Sequence, residues 1–275
     1  MKIRQSVVFP MFKPAETPLE PFFAAFAAIG YPAAELWFRE QWDMEEVLGA
    51  ARQHGIRLVS MCGHGTHVSG LNQAGEHDRV EDELCTSLAF AAKHGIASVI
   101  ALSGNRNPGE SDADAIETCA RGLRRIASVA ERLGVNVNLE LLNSKVDHPG
   151  YFCDRTALGV AICERVGSPR VKLLFDIYHM QIMEGDIIRT LRENIRWIGH
   201  FHTAGNPGRQ DLDAEQELNY RAIARAIAET GYDQYVGHEF RPKGDPVEAL
   251  RRTFALCDIP CDVFSTRTNR GPCIP

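Results

Sequence analysis

The chain has 275 residues, 44% hydrophobic and 24% charged, which supplies a full core and is ordinary for a globular protein. Its formal net charge of −6 argues against a nucleic-acid partner, because neutralising phosphates needs a basic face. No stretch is apolar for long enough to span a bilayer, and the opening MKIRQSVVFPMFK lacks a signal-peptide core, so a cytoplasmic protein without membrane contact is expected.

Along the chain, short β-rich runs alternate with amphipathic stretches rich in Ala, Glu and Arg. RQSVVF precedes a helix predicted over 18–29, AAELWF one over 43–54, IRLVSMC one over 76–94, and ASVIALS one over 112–133. VNVNLELL then leads to 154–166, VKLLFDI to 184–194, WIGHFHT to 218–230 and YVGHEF to 245–256. Gly30, Gly55, Gly95, Gly134, Gly167 and Gly231 each follow a periodic run, where a C-terminal glycine cap belongs. Eight strands alternating with eight helices predict a single closed (β/α)8 TIM barrel over residues 1–256. An open doubly wound sheet is the alternative, but neither GxGxxG nor a P-loop follows the early strands. Residues 257–275 lose the periodicity and are expected to form a tail, draped on the surface or used in a homo-oligomer contact. The eight cysteines are scattered without a CxxC pair, which fits reduced thiols better than a disulfide framework.

In such a barrel the active site lies at the carboxyl ends of the strands. That rule selects Glu140 from the fifth strand, Asp176 from the sixth, His202 from the seventh and Glu239 from the eighth. Three carboxylates and an imidazole in buried strands are costly unless paired or bound to a metal. One divalent ion satisfies all four; the oxygen-rich set suits Mn²⁺ or Mg²⁺, with Zn²⁺ as the alternative. Asp176, taken alone in KLLFDIYHM, reads equally well as a helix cap or as a ligand.

Around this set, His179 lies one turn past Asp176 and is expected to hydrogen-bond a substrate. His64, in MCGHGTH after the third strand, reads either as a substrate contact or as a loop histidine bonded to its neighbours, and His67 is a weaker candidate. Arg209, in AGNPGRQDLD, reads as a solvated loop residue or as a binder of a small acid or sugar. By strand alternation His200 shares the face of His202, whereas His238 points outward as a packing residue.

With those residues named, LELLN followed by HPGYF, KLLFDIYHMQIMEGD, IGHFHTAGNPGR and ELNYRAIARAIAETGYDQYVGHEFRP resemble the xylose-isomerase-like superfamily of sugar isomerases and epimerases. Within it the chain is most similar to the hydroxypyruvate isomerase and 2-oxo-tetronate isomerase family. The likeness is densest from Asn138 to Pro242, whereas the first half matches mainly in layout. The resemblance implies a divalent metal at Glu140, Asp176, His202 and Glu239, with Glu140 and Glu239 also forming the catalytic acid/base pair. It implies a small sugar or keto-acid substrate that isomerises by proton transfer through a cis-enediolate.

Three features depart from the hydroxypyruvate isomerase pattern. His202 stands where that family can carry glutamine and looks more like the ketose 3-epimerases. QDLDAEQELNY replaces a glycine-rich stretch, and the loop GHGTHVSG is unlike the usual one. A ketose 3-epimerase and a non-catalytic sugar-binding barrel are therefore kept as alternatives. A relative of the three-zinc DNA-repair endonucleases is disfavoured, because ALSGNRNPG after the fourth strand has no histidine.

Overall fold

The computed structural model describes residues 2–259. β1 (Arg4–Val8), α1 (Leu19–Ile29), β2 (Ala33–Glu35), α2 (Met44–Gln53), β3 (Arg57–Cys62), α3 (His77–His94), β4 (Ser98–Ala101) and α4 (Asp112–Leu133) form the first half. β5 (Asn136–Glu140), α5 (Thr156–Val166), β6 (Val171–Asp176), α6 (Ile177–Met183), α7 (Ile187–Asn194), β7 (Ile198–Thr203), α8 (Tyr220–Glu229), β8 (Tyr235–His238) and α9 (Pro246–Cys257) complete it. The strands run parallel in sequence order, and β8 returns to pair with β1, closing the barrel. The expected (β/α)8 architecture is thus the observed one.

The strands are buried on both faces, as parallel strands wrapped in helices must be. Outside the barrel, Phe23 of α1 packs edge to face on Phe9 and Phe26, and Phe22 lies tilted against Phe26. Phe201 of β7 meets Phe175 of β6 edge to face at 5.9 Å and Tyr232 at 4.9 Å. The helices end as their sequences predict: α3 and α4 close on Gly95 and Gly134, each at φ 70°. No helix among the described residues is long and apolar enough to cross a membrane.

Three elements differ from the sequence expectation. β2 stops at Glu35, short of the AAELWF run, and its register with β3 slips between Ala34 and Glu35. Such a slip re-aims side chains at a strand end. β6 ends at Asp176, which caps an additional short helix, α6, so the helix expected over 184–194 begins only at Ile187. Cys257 belongs to the last turn of α9, and residues 260–275 of the expected tail lie outside the described residues.

Phe201 is fully buried away from the strand-end rim. Phe201→Ala is expected to lower unfolding stability by ~3–5 kcal/mol through lost burial and an unfilled cavity. A urea titration checks this, and a midpoint within error of the parent's would contradict it.

Candidate active site

The barrel register brings the strand ends together. Asp176 on β6 sits opposite His202 on β7, and Glu239, one residue past β8, donates its backbone N–H to the Thr203 carbonyl at 3.0 Å. Glu140 closes the arc from the end of β5. Ligand-capable atoms of Glu140, Asp176, His202 and Glu239 all lie within 4.8 Å of one another, and all four residues are buried. The structure therefore gathers the four residues that the strand-end rule selects.

Of the two roles weighed for Asp176, the structure shows the cap and leaves one carboxylate oxygen outside it. Its Oδ1 accepts the backbone N–H of His179 at 3.0 Å as the cap of α6, while Oδ2 stays clear of that bond. Burial, opposed by Arg209 and reinforced by Glu239 and Glu140, pushes its carboxyl up to about 7. Glu239 fares differently. Its Oε1 accepts from Trp37 Nε1 at 2.7 Å and its Oε2 from Arg209 Nη2 at 2.6 Å. Although burial alone would raise it, Arg209 and His202 hold Glu239 well below the usual carboxylate range. His202 is buried too, yet Glu239, Glu140 and Glu35 hold its imidazole well above the ordinary value. Its Nδ1 lies 3.4 Å from Glu239 Oε2 and 3.8 Å from Glu140 Oε1 and makes no hydrogen bond among the described residues.

This donor set fits a divalent cation. Three buried carboxylates surround His202 Nδ1, which makes no hydrogen bond, and a divalent ion held by this oxygen-rich set would balance the charge and engage that nitrogen.

His179 and Arg209 flank the set. His179 Nδ1 accepts from Asn143 Nδ2 at 2.6 Å and from the Asn143 backbone N–H at 3.2 Å, so the ring proton sits on Nε2. That Nε2 is buried and without a partner, 3.7 Å from Asp176 Oδ2. Burial and the neighbouring Arg209 hold His179 far below its ordinary value, hence neutral. Arg209 is no solvated loop residue. Its backbone takes φ 54°, an unusual conformation for a side-chain-bearing residue, and its guanidinium lies over the Tyr178 ring at 5.8 Å while paired to Glu239.

His64 departs from the substrate-contact expectation. Its Nε2 accepts the Leu102 N–H at 2.8 Å and its Nδ1–H reaches the Gly65 carbonyl at 3.1 Å, so backbone takes both nitrogens. The ring walls a rim cavity of about 300 Å³ shared with Phe38, Glu40 and Cys62, but offers it no free donor or acceptor. His67 meets the His148 ring edge to face at 4.7 Å. His238 packs outward as expected, its ring edge on Tyr31 and its nitrogens bonded to Thr203 Oγ1 and Gln5 Oε1. His200 does share the face of His202, and both donate to Glu35 Oε2, at 2.9 and 3.1 Å.

Glu35, Trp37 and Asn143 escape the sequence reading. For Glu35 the signal was a charge inside the apolar run AAELWF, where a buried carboxylate needs partners. Trp37 and Asn143 follow strand ends at β2 and β5 but carry no charge to mark them.

Burial holds His64 at about 4, against an ordinary 6.5. Between those values the unfolded chain binds a proton that the fold refuses, so His64's contribution is complete above pH ~6.5 and is lost as the pH falls towards 4. His64→Gln is therefore expected to be less stable than the parent at pH 7.5, with the gap narrowing by pH 5. Urea midpoints at the two pH values test this, and a constant gap would contradict it.

Comparison with known proteins agrees with the barrel fold. The family model described as Xylose isomerase-like TIM barrel matches residues 23–257. A 2-oxo-tetronate isomerase from Cupriavidus necator is 32% identical over 227 residues, covering 80% of this chain and 86% of that one. A human protein named "Putative hydroxypyruvate isomerase" is 29% identical over 236 residues, covering 82% and 85%. Among solved structures, an AP endonuclease, family 2, from Brucella melitensis superposes with a TM-score of 0.81 at 25% identity, covering 91% of this chain and 97% of that one. The chain belongs to the xylose isomerase-like TIM barrel family.

Proposed function

We propose that this protein is a metal-dependent isomerase of a small α-hydroxy aldehyde or ketone. The substrate class is of the hydroxypyruvate–tartronate semialdehyde type or a related keto-acid sugar. The observation that carries the reading is the placement of two glutamates, Glu140 and Glu239, in one buried set with Asp176 and His202. The names of the Cupriavidus and human relatives support an isomerase.

Glu140, Asp176, His202 and Glu239 would hold the ion, Mn²⁺ or Mg²⁺ by donor type. Bound there, a divalent ion supplies Lewis-acid polarisation of a carbonyl and its adjacent hydroxyl. The proton work falls to the protein. One glutamate removes the C–H proton beside the carbonyl, leaving a cis-enediolate; Glu140 or Glu239 returns a proton at the neighbouring carbon, and the hydroxyl proton passes to the former carbonyl oxygen. Arg209 and Trp37 fix both oxygens of Glu239, so its position is set before substrate arrives. The unpartnered Nε2–H of His179 is a donor for a substrate oxygen, and Arg209, pinned beside Glu239, offers a positive charge to an acidic substrate.

Epimerisation at a ketose carbon is the second reading, favoured by the histidine at position 202. It uses the same proton abstraction, with return on the opposite face. DNA cleavage, the activity that the name of the Brucella protein brings to mind, fits less well. The net charge is −6, and His64 on the third loop has no nitrogen free to serve as a further ligand.

Deuterium wash-in from D₂O tests the proposal by NMR over hydroxypyruvate, tartronate semialdehyde, tetronates and ketohexoses, with Mn²⁺ or Mg²⁺ and with EDTA. Metal-dependent exchange beside a carbonyl is expected. Glu140→Gln and Glu239→Gln should each reduce it by ~10²–10⁴-fold at saturating metal. Retention of most activity by Glu239→Gln would refute its assigned role.

A further inference from the structure

Below the four-residue set lies a second buried layer. Glu35, at the end of β2, accepts three hydrogen bonds on one carboxylate: Ser6 Oγ at 2.5 Å on Oε1, and His200 Nε2 at 2.9 Å and His202 Nε2 at 3.1 Å on Oε2. Ser6, Glu35 and the two histidines are all 2% exposed or less. They come from β1, β2 and β7, with β8 between β7 and β1.

β8 yields to this group. A Cβ on Gly237 would sit inside contact distance of Glu35 Oε1 and 2.9 Å from His202 Cδ2. Gly237 is the register partner of His202, so the strand beside the imidazole carries no side chain where the Glu35 carboxylate passes. The register slip between Ala34 and Glu35 falls at the residue whose side chain reaches in. These observations involve four strands, β1, β2, β7 and β8, and converge on one carboxylate.

We infer that Glu35 is a positioning residue that fixes the orientation and tautomer of His202, so that its Nδ1 faces Glu140, Asp176 and Glu239. The inference rests on the metal reading proposed for the four-residue set. An ionised carboxylate only accepts, so the nitrogen bonded to it must carry the proton. With Nε2 committed to Glu35, Nδ1 is the nitrogen that would give up its proton to offer a lone pair to a cation, and it makes no hydrogen bond while lying 3.4 Å from Glu239 Oε2. The opposite tautomer would set a lone pair against the Glu35 oxygen and an N–H where the ion belongs. Metal-ligating histidines commonly depend on such an outer carboxylate for ring orientation.

Glu35, His200 and His202 could instead be a second cation site, since their donor atoms also lie within 4.8 Å of one another. The distances favour hydrogen bonds. Both histidine nitrogens lie about 3 Å from the same oxygen, and Ser6 occupies the other oxygen as a donor.

The test uses the full chain, Mn²⁺ titration by calorimetry, and ¹⁵N-histidine NMR of the metal-free and Mg²⁺-loaded protein. Wild type is expected to bind one ion and to show a hydrogen-bonded His202 Nε2–H in both forms. Glu35→Gln should weaken Mn²⁺ binding by about 10–100-fold and shift that proton, with the barrel still folded. Gly237→Ala removes no polar group and is expected to weaken binding in the same direction by displacing Glu35, which keeps the inference testable should Glu35→Gln fail to fold. Wild-type affinity in both variants would overturn it. So would two ions per chain with one lost in Glu35→Gln, or a His202 Nε2 without a proton. If wild type bound no ion, the proposed function would fall, and the NMR signal would still decide whether Glu35 holds His202.

Discussion

The structure depends on one electrostatic constraint: three carboxylates buried at one rim, answered by the His202 imidazole and the Arg209 guanidinium. Carboxylates of this kind are stable only where charge or hydrogen bonds compensate them. The chain answers unevenly. Glu239 receives Arg209 and Trp37 and stays ionised, whereas Asp176 receives a helix N-terminus and is driven up to about 7 by burial and its neighbours. That residual repulsion is what a divalent ion would relieve. It also explains why so much of the surrounding backbone is shaped around four side chains.

Several local features follow from the constraint. α6 exists because Asp176 caps it, and its first turn delivers His179 to the same rim with Nε2–H unengaged. Arg209 accepts an unfavourable φ to bring its guanidinium over Glu239 and Tyr178. Beneath them, Glu35 joins β1, β2 and β7 through one carboxylate, and Gly237 leaves the space it needs. Strain at a rim, polar groups inside a barrel and a glycine in a strand are each destabilising alone. Together they define a preorganised site, the arrangement that catalysis by positioned charge requires.

Much of this is legible in the sequence. The alternation of β-rich runs with amphipathic helices specifies the barrel, and the strand-end rule then picks Glu140, Asp176, His202 and Glu239 without chemical assumptions. Periodicity cannot reveal α6, because YHMQIM continues a strand without a break and only the Asp176 cap separates them. His64 is ambiguous for a physical reason: whether a loop histidine bonds backbone or substrate depends on the Leu102 and Gly65 groups that the fold brings near it. Glu35 sits at a strand end like the other carboxylates, but nothing in AAELWF shows what it meets. Its three donors come from residues 29, 165 and 167 positions away, a convergence no local pattern encodes.

The central claim is that one divalent ion sits among Glu140, Asp176, His202 and Glu239 and meets His202 through Nδ1. Anomalous diffraction from crystals soaked in Mn²⁺, collected at the manganese edge, tests it directly. The account predicts a single strong peak bounded by those four side chains, on the Nδ1 side of His202. No peak there at saturating Mn²⁺, or a peak between His202 Nε2 and Glu35, would contradict it.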